Sequence, residues 1–296
     1  MSAPPGAVHV RLELRPRWPV RLPRGGRDGV LRRRGGVLER LLHVRGRPVI
    51  VRAAQPAADR VVLGAWADEP DAADEALRRL RFALGLDEDL RPFYDRFRAD
   101  PLIGPSLRRA PWLRPGRRPR PFEALVWAIC EQLIEIERAQ AIERRIVRAL
   151  GQRCPETGLC DVPEPAALAG CAPARLESFD LSARRSLTLV RAARQVAAGR
   201  ADLDGADPEP AWRRLRTIPG IGRWTIDMLA LHGHGRLDAL PAGDLGLLKL
   251  VGRVRSCGNP RARAEEPEVR ALFARYEPWR GLAAAHALRS CSLSPA

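Results

Sequence analysis

One carboxylate in this sequence, Asp244, is a clear candidate for chemistry. It follows a turn marked by Pro241 and Gly243 and precedes a run with helical spacing, Leu245–Lys249. That position suits a helix N-cap, whose side chain accepts hydrogen bonds from the first backbone N–H groups of the helix. The same carboxylate could instead stabilise positive charge in a transition state. Taken alone, the position of Asp244 leaves both interpretations open.

A turn rich in glycine lies about 20 residues before this carboxylate. Its sequence is Ile218-Pro219-Gly220-Ile221-Gly222, and it joins two stretches with helical periodicity. Glycine adopts backbone angles that other residues resist, and it lets a ligand approach the main chain closely. Backbone N–H groups in such a turn can bind an anion, and a DNA phosphate is the simplest occupant. A plain helix–turn–helix corner is the alternative.

The histidines and cysteines give no metal or redox signature. The six cysteines contain no C-x-x-C pair, so we interpret them as free thiols in or near the cores. His232 and His234 are two positions apart, a spacing that does not place them on one face of a helix. We interpret both as surface or capping residues.

The charge balance favours a polyanionic partner. The chain has 296 residues, and its 51 basic and 35 acidic residues give a net charge of +16. Such an excess is most simply explained by binding to nucleic acid, although a solubility-driven surface is the alternative. No stretch of 18 apolar residues occurs, and no apolar run precedes the first arginines, so neither a membrane span nor a signal peptide is expected. We expect a cytoplasmic, nucleoid-associated protein without a membrane partner.

The elements that must position these segments fall into two parts. Short apolar runs separated by glycine turns over residues 8–66 predict a small sheet. From Asp71 onward the periodicity is helical. Helices are predicted over Asp71–Leu84, Phe122–Leu150, Pro173–Phe179, Ser182–Ala198, Pro208–Thr217, Trp224–His232, Asp244–Val254, Pro267–Tyr276 and Trp279–Ser290. We therefore predict a mainly α fold with a sheet-containing α+β domain over residues 1–88 and an all-helical region over 89–296.

Two further segments accompany the hairpin and the Pro241-Ala242-Gly243-Asp244 turn. They are Pro121-Phe122-Glu123-Ala124-Leu125-Val126-Trp127-Ala128-Ile129-Cys130-Glu131-Gln132-Leu133-Ile134 and Glu277-Pro278-Trp279-Arg280-Gly281-Leu282-Ala283-Ala284. In this order, the four segments resemble the helix–hairpin–helix (HhH-GPD) superfamily of DNA glycosylases. Their spacing is most similar to the bacterial 3-methyladenine glycosylase II branch, whose members also have an N-terminal sheet-containing domain. The resemblance implies that two helical subdomains flank an active-site cleft.

The resemblance implies a monofunctional DNA glycosylase of base excision repair that acts on alkylated purines of the 3-methyladenine type. Members flip the damaged base out of the duplex and hydrolyse its N-glycosidic bond through an oxocarbenium-like transition state. Asp244 matches the family's catalytic aspartate, which stabilises that state. Relatives that also nick the strand carry a lysine at the position of Trp224, so the resemblance implies no lyase activity. A non-catalytic DNA-binding protein and a glycosylase for deaminated or oxidised bases are the alternatives.

The resemblance also implies a base pocket and a DNA surface. Trp224 and Trp279 match aromatic positions of the pocket, where an indole face attracts a cationic base. Met228 replaces an aromatic residue there, and Trp127 fits either a pocket wall or the core. Leu133 matches the residue inserted into the gap left by the flipped base, with a helix-core leucine as the alternative. The implied DNA-binding set is Leu133, Gln132, Pro219, Gly220, Ile221, Gly222 and Thr225.

No cofactor is expected to be required. The backbone carbonyls of Arg216, Ile218 and Gly220 match the positions that hold a monovalent cation, Na⁺ or K⁺, in family hairpins. Only Cys257 and Cys291 follow the hairpin, so the iron–sulfur cluster of some relatives is expected to be absent. The expected partner is double-stranded DNA with damaged bases, bound by a monomer. Besides Met228, three residues depart from the family pattern and leave the base preference open: Glu135, Glu137 and Gly281.

Overall fold

The computed structural model describes residues 8–293, and side chains up to residue 290. Its N-terminal part is one antiparallel sheet with the strand order β1-β5-β4-β3-β2. The strands are β1 (Val8–Leu14), β2 (Leu31–Arg34), β3 (Val37–Val44), β4 (Arg47–Ala57) and β5 (Arg60–Ala67). The sheet confirms the strands predicted from the glycine-separated apolar runs.

The helix α1 (Pro70–Leu84) covers one face of this sheet. It begins with proline at the first helical position and ends at Gly85, whose φ of 62° is left-handed. The alanines and leucines on its buried face pack against Val61 and Leu63 of β5. The apolar face of a sheet must pack against another element, and here that element is α1. The predicted helix over Asp71–Leu84 is confirmed.

The rest of the described chain is helical. The helices are α2 (Arg91–Phe97), α3 (Gly104–Arg109), α4 (Pro121–Cys130), α5 (Ile136–Leu150), α6 (Pro165–Ala169), α7 (Pro173–Glu177), α8 (Ala183–Ala197), α9 (Glu209–Arg216), α10 (Arg223–Met228), α11 (Leu245–Arg255), α12 (Glu266–Phe273) and α13 (Arg280–Leu293). A π-helical turn, Leu229–Gly233, extends α10. A short 3₁₀ turn, Ala274–Tyr276, follows α12. None of the described helices is long and apolar enough to cross a membrane.

One predicted helix is wrong. The sequence predicts a continuous helix over Phe122–Leu150, but α4 ends at Cys130 and α5 begins at Ile136. The five residues between them include Leu133, whose φ of +56° no helix can contain. Because the helical spacing of apolar residues continues across residues 131–135, the sequence pattern does not reveal the break. The short helices α2 and α3 were also not predicted, since periodicity needs a longer window.

The helices pack around two separate hydrophobic cores. The first contains side chains from α4 to α10, and the second contains side chains from α2, α3 and α11 to α13. The second core is therefore built from two separate segments of the chain, one before and one after the helices of the first core. Ile218 and Ile221 of the glycine-rich turn belong to the first core, whereas Ala242 and Leu247, which flank Asp244, belong to the second. The two candidate segments are thus anchored in different cores.

Buried ion pairs join the sheet to the helical region. Arg40 on β3 pairs with Glu123 on α4, and both side chains are almost fully buried. Asp161 accepts hydrogen bonds from the backbone N–H of His43 at 2.9 Å and from Arg120 at 3.5 Å. Burial opposes the charge of Asp161, but its hydrogen bond with His43 and its charged neighbours Arg120 and Arg40 outweigh burial and lower its pKa. Sequence reasoning missed this network because its members are far apart in the chain.

Candidate active site and DNA interface

The turn between α9 and α10 is fixed from inside by apolar and hydroxyl side chains. Ile218 and Ile221 are buried, and the backbone N–H of Ile221 donates to the carbonyl of Ile218 at 3.0 Å. Gly220 has a φ of +95°, and a Cβ on it would lie 2.5 Å from Oγ1 of Thr188 on α8. That hydroxyl also lies 2.9 Å from the carbonyl of Pro219, to which it can donate. Glycine at 220 is therefore required both by its φ and by its packing.

The outer edge of the same turn is open. Pro219 and Gly222 are exposed, and a Cβ on Gly222 would meet nothing within 4 Å. A phosphate could therefore approach the main chain at Gly222 closely. Two members of the implied DNA-binding set, Ile221 and Thr225, have buried side chains instead. These two residues can contribute backbone groups to a DNA interface, but their side chains face the interior.

Gln132 connects this turn to the break between α4 and α5. Its side-chain amide donates to the carbonyl of Gly220 at 2.8 Å and to Oγ1 of Thr225 at 2.9 Å. The next residue, Leu133, is fully exposed, with a left-handed φ of +56°. A leucine has no local reason to adopt that conformation or to leave the core. The strain and exposure fit a side chain held out toward DNA and do not fit the helix-core alternative.

Arg185 on α8 supports the same loop from its other side. Its guanidinium donates to the carbonyl of Cys130 at 2.6 Å and to that of Gln132 at 3.4 Å. These bonds satisfy carbonyls at the C-terminal end of α4, which has no further turn to receive them. Arg185 and Thr188 lie one turn apart on α8. Arg185 therefore positions the loop between α4 and α5, residues 131–135 (the Leu133 loop), and Thr188 positions the glycine-rich turn. Nothing in the sequence pattern distinguishes these two residues from the other polar residues of α8.

Asp244 caps α11 and keeps one oxygen available. Its Oδ1 accepts hydrogen bonds from the backbone N–H groups of Gly246 at 2.8 Å and Leu247 at 3.3 Å. Among the described residues, no hydrogen bond to Oδ2 is found. The side chain is half-buried, and its neighbours Ala242 and Leu247 belong to the second core. The capping interpretation is thus confirmed, and it is compatible with chemistry because capping fixes the carboxylate while leaving Oδ2 free.

The aromatic candidates have different surroundings. Trp224 and Met228, both on α10, are half-buried and one helical turn apart. Trp279 is half-buried, with its ring centroid 5.8 Å from that of Phe93. Trp127 is only 2% exposed and belongs to the first core. The prediction of Trp127 as a pocket residue is therefore not supported, since a ring without exposed surface cannot line an open pocket.

The segment around Trp279 is held by charge and by close packing. The backbone N–H and the guanidinium of Arg280 bond the carboxylate of Asp238, with the Nε–Oδ1 distance at 2.8 Å. A Cβ on Gly281 would collide with the carbonyl of Ala239. This packing explains why glycine stands where the family pattern has serine. Glu135 and Glu137, the other departures, are exposed at the start of α5.

Glu131 has an unusual electrostatic environment that sequence reasoning did not predict. It is the residue after α4, immediately before Gln132. Its pKa is raised to about 7, chiefly by burial; Arg118 opposes this rise, and the negative charges of Asp244 and Asp28 contribute to it. Glu143 on α5 is 1% exposed, and burial together with the charge of Glu131 raises its pKa to about 9. Glu131 is thus an acidic group with an unusual affinity for protons, and its charge interacts with that of Asp244.

The described residues offer no side-chain metal site. No group of three or more His, Cys, Asp or Glu residues there is arranged to hold a metal ion. His232 and His234 bond the backbone carbonyls of Gly116 and Leu203, and burial lowers the pKa of each. Both side chains are half-buried, and each ring bonds a main-chain carbonyl of a distant segment. Cys257 is an exposed free thiol, and the side chain of Cys291 lies outside the described residues.

The carbonyls proposed to hold a monovalent cation are partly engaged. The Ile218 carbonyl accepts from the N–H of Ile221, and the Gly220 carbonyl accepts from Gln132. A carbonyl oxygen has two lone pairs, so each retains one for a cation. The geometry is compatible with a cation at Arg216, Ile218 and Gly220, and its presence stays a prediction.

A family model and two curated relatives all indicate the same family of DNA repair proteins. The model of the HhH-GPD superfamily of base excision DNA repair proteins matches residues 126–275. A DNA-3-methyladenine glycosylase of Bacillus subtilis (strain 168) is 26% identical over 215 residues, which cover 71% of this chain and 70% of that protein. DNA-3-methyladenine glycosylase 2 of Escherichia coli (strain K12) is 31% identical over 193 residues, 62% of this chain and 64% of that protein.

Solved structures agree on the fold. The 3-methyladenine DNA glycosylase from Archaeoglobus fulgidus superposes with a TM-score of 0.78 at 22% identity, covering 94% of this chain and 97% of that one. The 8-oxoguanine glycosylase/lyase from Clostridium acetobutylicum superposes with a TM-score of 0.68 at 16% identity, covering 88% of each chain. At these identities the likeness establishes the fold, and the two proteins are named for different bases and different reactions.

Proposed function

The chain belongs to the HhH-GPD superfamily of base excision DNA repair proteins, and on that basis we propose that it is a monofunctional DNA glycosylase for alkylated purines of the 3-methyladenine type. The observation that carries the proposal is the geometry of Asp244. Its Oδ1 is fixed by two backbone N–H groups of α11, and Oδ2 is left without a hydrogen bond from the described residues. The names of the relatives supply the substrate class.

In the proposed reaction the damaged base leaves the helical stack before its bond is cut. The N-glycosidic bond is inaccessible inside the duplex, so the nucleotide must rotate into the protein. Leu133, exposed on its strained loop, would fill the gap that the base leaves. The open edge of the turn at Pro219 and Gly222 would hold a phosphate next to the flipped nucleotide.

Bond cleavage would then depend on Asp244. Positive charge develops on the sugar as the base leaves, and a preorganised carboxylate stabilises that charge. A base such as 3-methyladenine is already cationic and therefore leaves readily. The half-buried indoles of Trp224 and Trp279 offer faces that attract a cationic base. Water adds to the sugar carbon, and an abasic site remains.

The proposed absence of lyase activity depends on where the chain carries a lysine, whose amine would be the nucleophile. Strand nicking needs a lysine that attacks the sugar to form a Schiff base, and at the family's lysine position this chain has Trp224. Lys249 is exposed on α11, about 140° around the helix axis from Asp244 at 100° per residue. We propose that the protein acts as a monomer on double-stranded DNA, in the cytoplasm at the nucleoid, without a required cofactor.

The test is base release from methylated duplex DNA by the wild type and by Asp244→Asn. Asparagine is a good N-cap, so this change keeps α11 while removing the charge. We expect the wild type to release 3-methyladenine without nicking the strand, and the variant to be at least about 100-fold slower with unchanged affinity for an abasic-site duplex. Chromatography of the bases and a denaturing gel measure both products. Binding without release of any damaged base would contradict the proposal in favour of a non-catalytic DNA-binding protein.

A further inference from the structure

The exposed side of α8 carries positive charge that no acidic residue of this helix balances. α8 contains four arginines and no aspartate or glutamate. Two of these arginines, Arg184 and Arg191, are exposed, and among the described residues neither guanidinium has an ion pair or a hydrogen bond. By contrast, the exposed Arg138 on α5 pairs with Asp180 at 2.7 Å. Two guanidinium groups on one helix are therefore available to an anionic partner.

α8 is fixed beside the glycine-rich turn and α9 at two points. Oγ1 of Thr188 lies 2.9 Å from the carbonyl of Pro219 in the turn. Two helical turns later, Oε1 of Gln195 accepts a hydrogen bond of 2.9 Å from Nε of Arg214 on α9. Because Gln195 is uncharged, it binds Arg214 without neutralising it. These two contacts set the rotation of α8 about its own axis, and so they decide which of its side chains face solvent next to the turn.

Arg184 and Arg191 are the exposed residues of α8 that lie nearest to its contact with the turn. At about 100° per residue, they are about 40° and about 60° from the buried Thr188, on the same side of the helix. The exposed Leu187 and Arg194 are farther away, at about 100° and about 120°. Along the axis, Arg184 and Arg191 are about 10.5 Å apart, with Thr188 between them. The two arginines therefore flank the point where α8 touches the turn.

The open edge of the turn has room for one phosphate, and a DNA strand continues past that phosphate in both directions. Gly222 is exposed, and a Cβ on it would meet nothing within 4 Å. One strand of a duplex carries a phosphate for every 3.4 Å or so of helix axis. The separation of about 10.5 Å along α8 therefore corresponds to about three phosphates of one strand. A strand held at the turn would bring its neighbouring phosphates to this side of α8.

We propose that Arg184 and Arg191 bind the phosphates that adjoin the one at the glycine-rich turn, so that α8 is a second DNA-binding surface. This role rests on the DNA glycosylase function proposed above and deepens it. A guanidinium matches the geometry of a phosphate, with which it can form two hydrogen bonds. Phosphate contacts fix the position of a protein on the duplex without reading its sequence. α8 would thus hold the strand near the flipped nucleotide, whichever base is damaged.

The first experiment measures how the affinity for duplex DNA depends on salt. Arg184→Gln, Arg191→Gln and the double variant are titrated against an undamaged and an abasic-site duplex, between about 50 mM and about 200 mM salt. Arg148→Gln is the control, because Arg148 is exposed in the last turn of α5 and has no side-chain partner within residues 8–290. It lies about 18 Å along α5 from Ile136, which follows the Leu133 loop. Urea unfolding checks that the variants remain folded.

We expect each single variant to lower the slope of log affinity against log salt by about 1, and the double variant by about 2. The affinity should fall equally for both duplexes, since a phosphate contact carries no information about the base. Single-turnover release of 7-methylguanine at saturating protein should stay within about twofold of the wild-type rate. Slopes no lower than that of Arg148→Gln would overturn the role of α8 and favour an acidic protein as its partner.

The second experiment locates the phosphates that α8 binds. Uncharged methylphosphonates replace the phosphates of the abasic-site duplex one at a time, and each duplex is titrated with the wild type and with the double variant. At two or more positions, the replacement should weaken binding by the wild type and have no further effect in the double variant, because the cations are already gone. Equal losses in both proteins at every position would overturn the proposal. The expected salt response without release of any damaged base would support the DNA surface and overturn the glycosylase function.

Discussion

The side-chain amide of Gln132 donates a 2.8 Å hydrogen bond to the backbone carbonyl of Gly220. The bond links residues 88 positions apart and ties the Leu133 loop to the glycine-rich turn. Thr188 and Arg185 on α8 hold the same two segments from behind. The side chain that would enter the duplex and the backbone that would hold its phosphate are therefore fixed relative to each other before DNA binds, which lowers the ordering cost of binding.

The two glycines of the turn should respond differently to alanine. Gly220→Ala places a Cβ against Thr188 at a φ of +95°, so we expect a loss of about 1–3 kcal/mol of unfolding free energy. Gly222→Ala meets open space and should change stability by less than about 0.5 kcal/mol. Its exposed methyl group should still weaken binding to an abasic-site duplex. Denaturant unfolding and a binding titration measure both effects, and equal destabilisation by the two changes would contradict the packing described here.

Truncation of Leu133 should separate stability from DNA binding. Because this side chain is fully exposed, Leu133→Ala should leave the unfolding free energy unchanged, and Leu133→Gly should raise it by up to about 1 kcal/mol through relief of the positive φ. Affinity for an abasic-site duplex should fall by about tenfold in both variants. Val254→Ala removes exposed apolar surface at the end of α11 and serves as the control. A destabilised Leu133→Ala would show that the leucine belongs to the core.

Glu143 should make the protein less stable at alkaline pH. Its pKa in the folded protein is about 9, above the ordinary 4.5, because it is buried near other carboxylates. The folded state thus holds this proton more tightly than the unfolded state does. The resulting stabilisation is fully present below about pH 4.5 and is lost as pH rises toward 9.

We therefore expect Glu143→Gln to be more stable than the wild type at pH 9, on the order of 2–4 kcal/mol, and to unfold with a weaker dependence on pH. Glu131, whose pKa is also raised, should retain a smaller dependence of the same sign in that variant. Urea unfolding at several pH values measures this, with Glu177→Gln as the control. Identical pH profiles for wild type and Glu143→Gln would show that Glu143 is ionised in the folded protein.

DNA binding should weaken steeply with salt. The net charge of +16 makes release of counterions from DNA a large part of the binding free energy. Between about 50 mM and about 200 mM salt, we expect at least a tenfold loss of affinity for an undamaged duplex. Fluorescence anisotropy across this range gives the slope. Affinity independent of salt would remove the electrostatic argument for a nucleic-acid partner.

Local signals were sufficient for the sheet, α1 and the turn around Gly220. Alternating apolar residues fix a strand face, and Gly85 ends α1 where its φ requires glycine. The hairpin and Asp244 could be located because turn residues and a cap have recognisable sequences. In each of these cases, the residues that determine the local structure lie within a few positions of it in the sequence.

The break after α4 and the acidic surroundings of Glu131 could not be predicted in that way. Leu133 continues the apolar period, and what releases it from a helix is the set of bonds from Gln132 and Arg185 to distant segments. Likewise, the pKa of Glu131 depends on Asp28 and Asp244, which lie about 100 residues away on either side. Such effects arise only once the chain has folded.

The ion pair between Arg40 and Glu123 affects whether the N-terminal sheet could be lost during evolution. The carboxylates of Glu123 and Asp161 are wholly buried, and the sheet supplies their contacts with Arg40 and His43. A descendant that lost the sheet would leave Glu123 with Arg118 and Asp161 with Arg120, but without their contacts to Arg40 and His43. Removal of one partner from a buried ion pair is destabilising. Deletion of the sheet would thus destabilise the helical region unless the two acids were also replaced, so the N-terminal strands stabilise the helices independently of any contact with DNA.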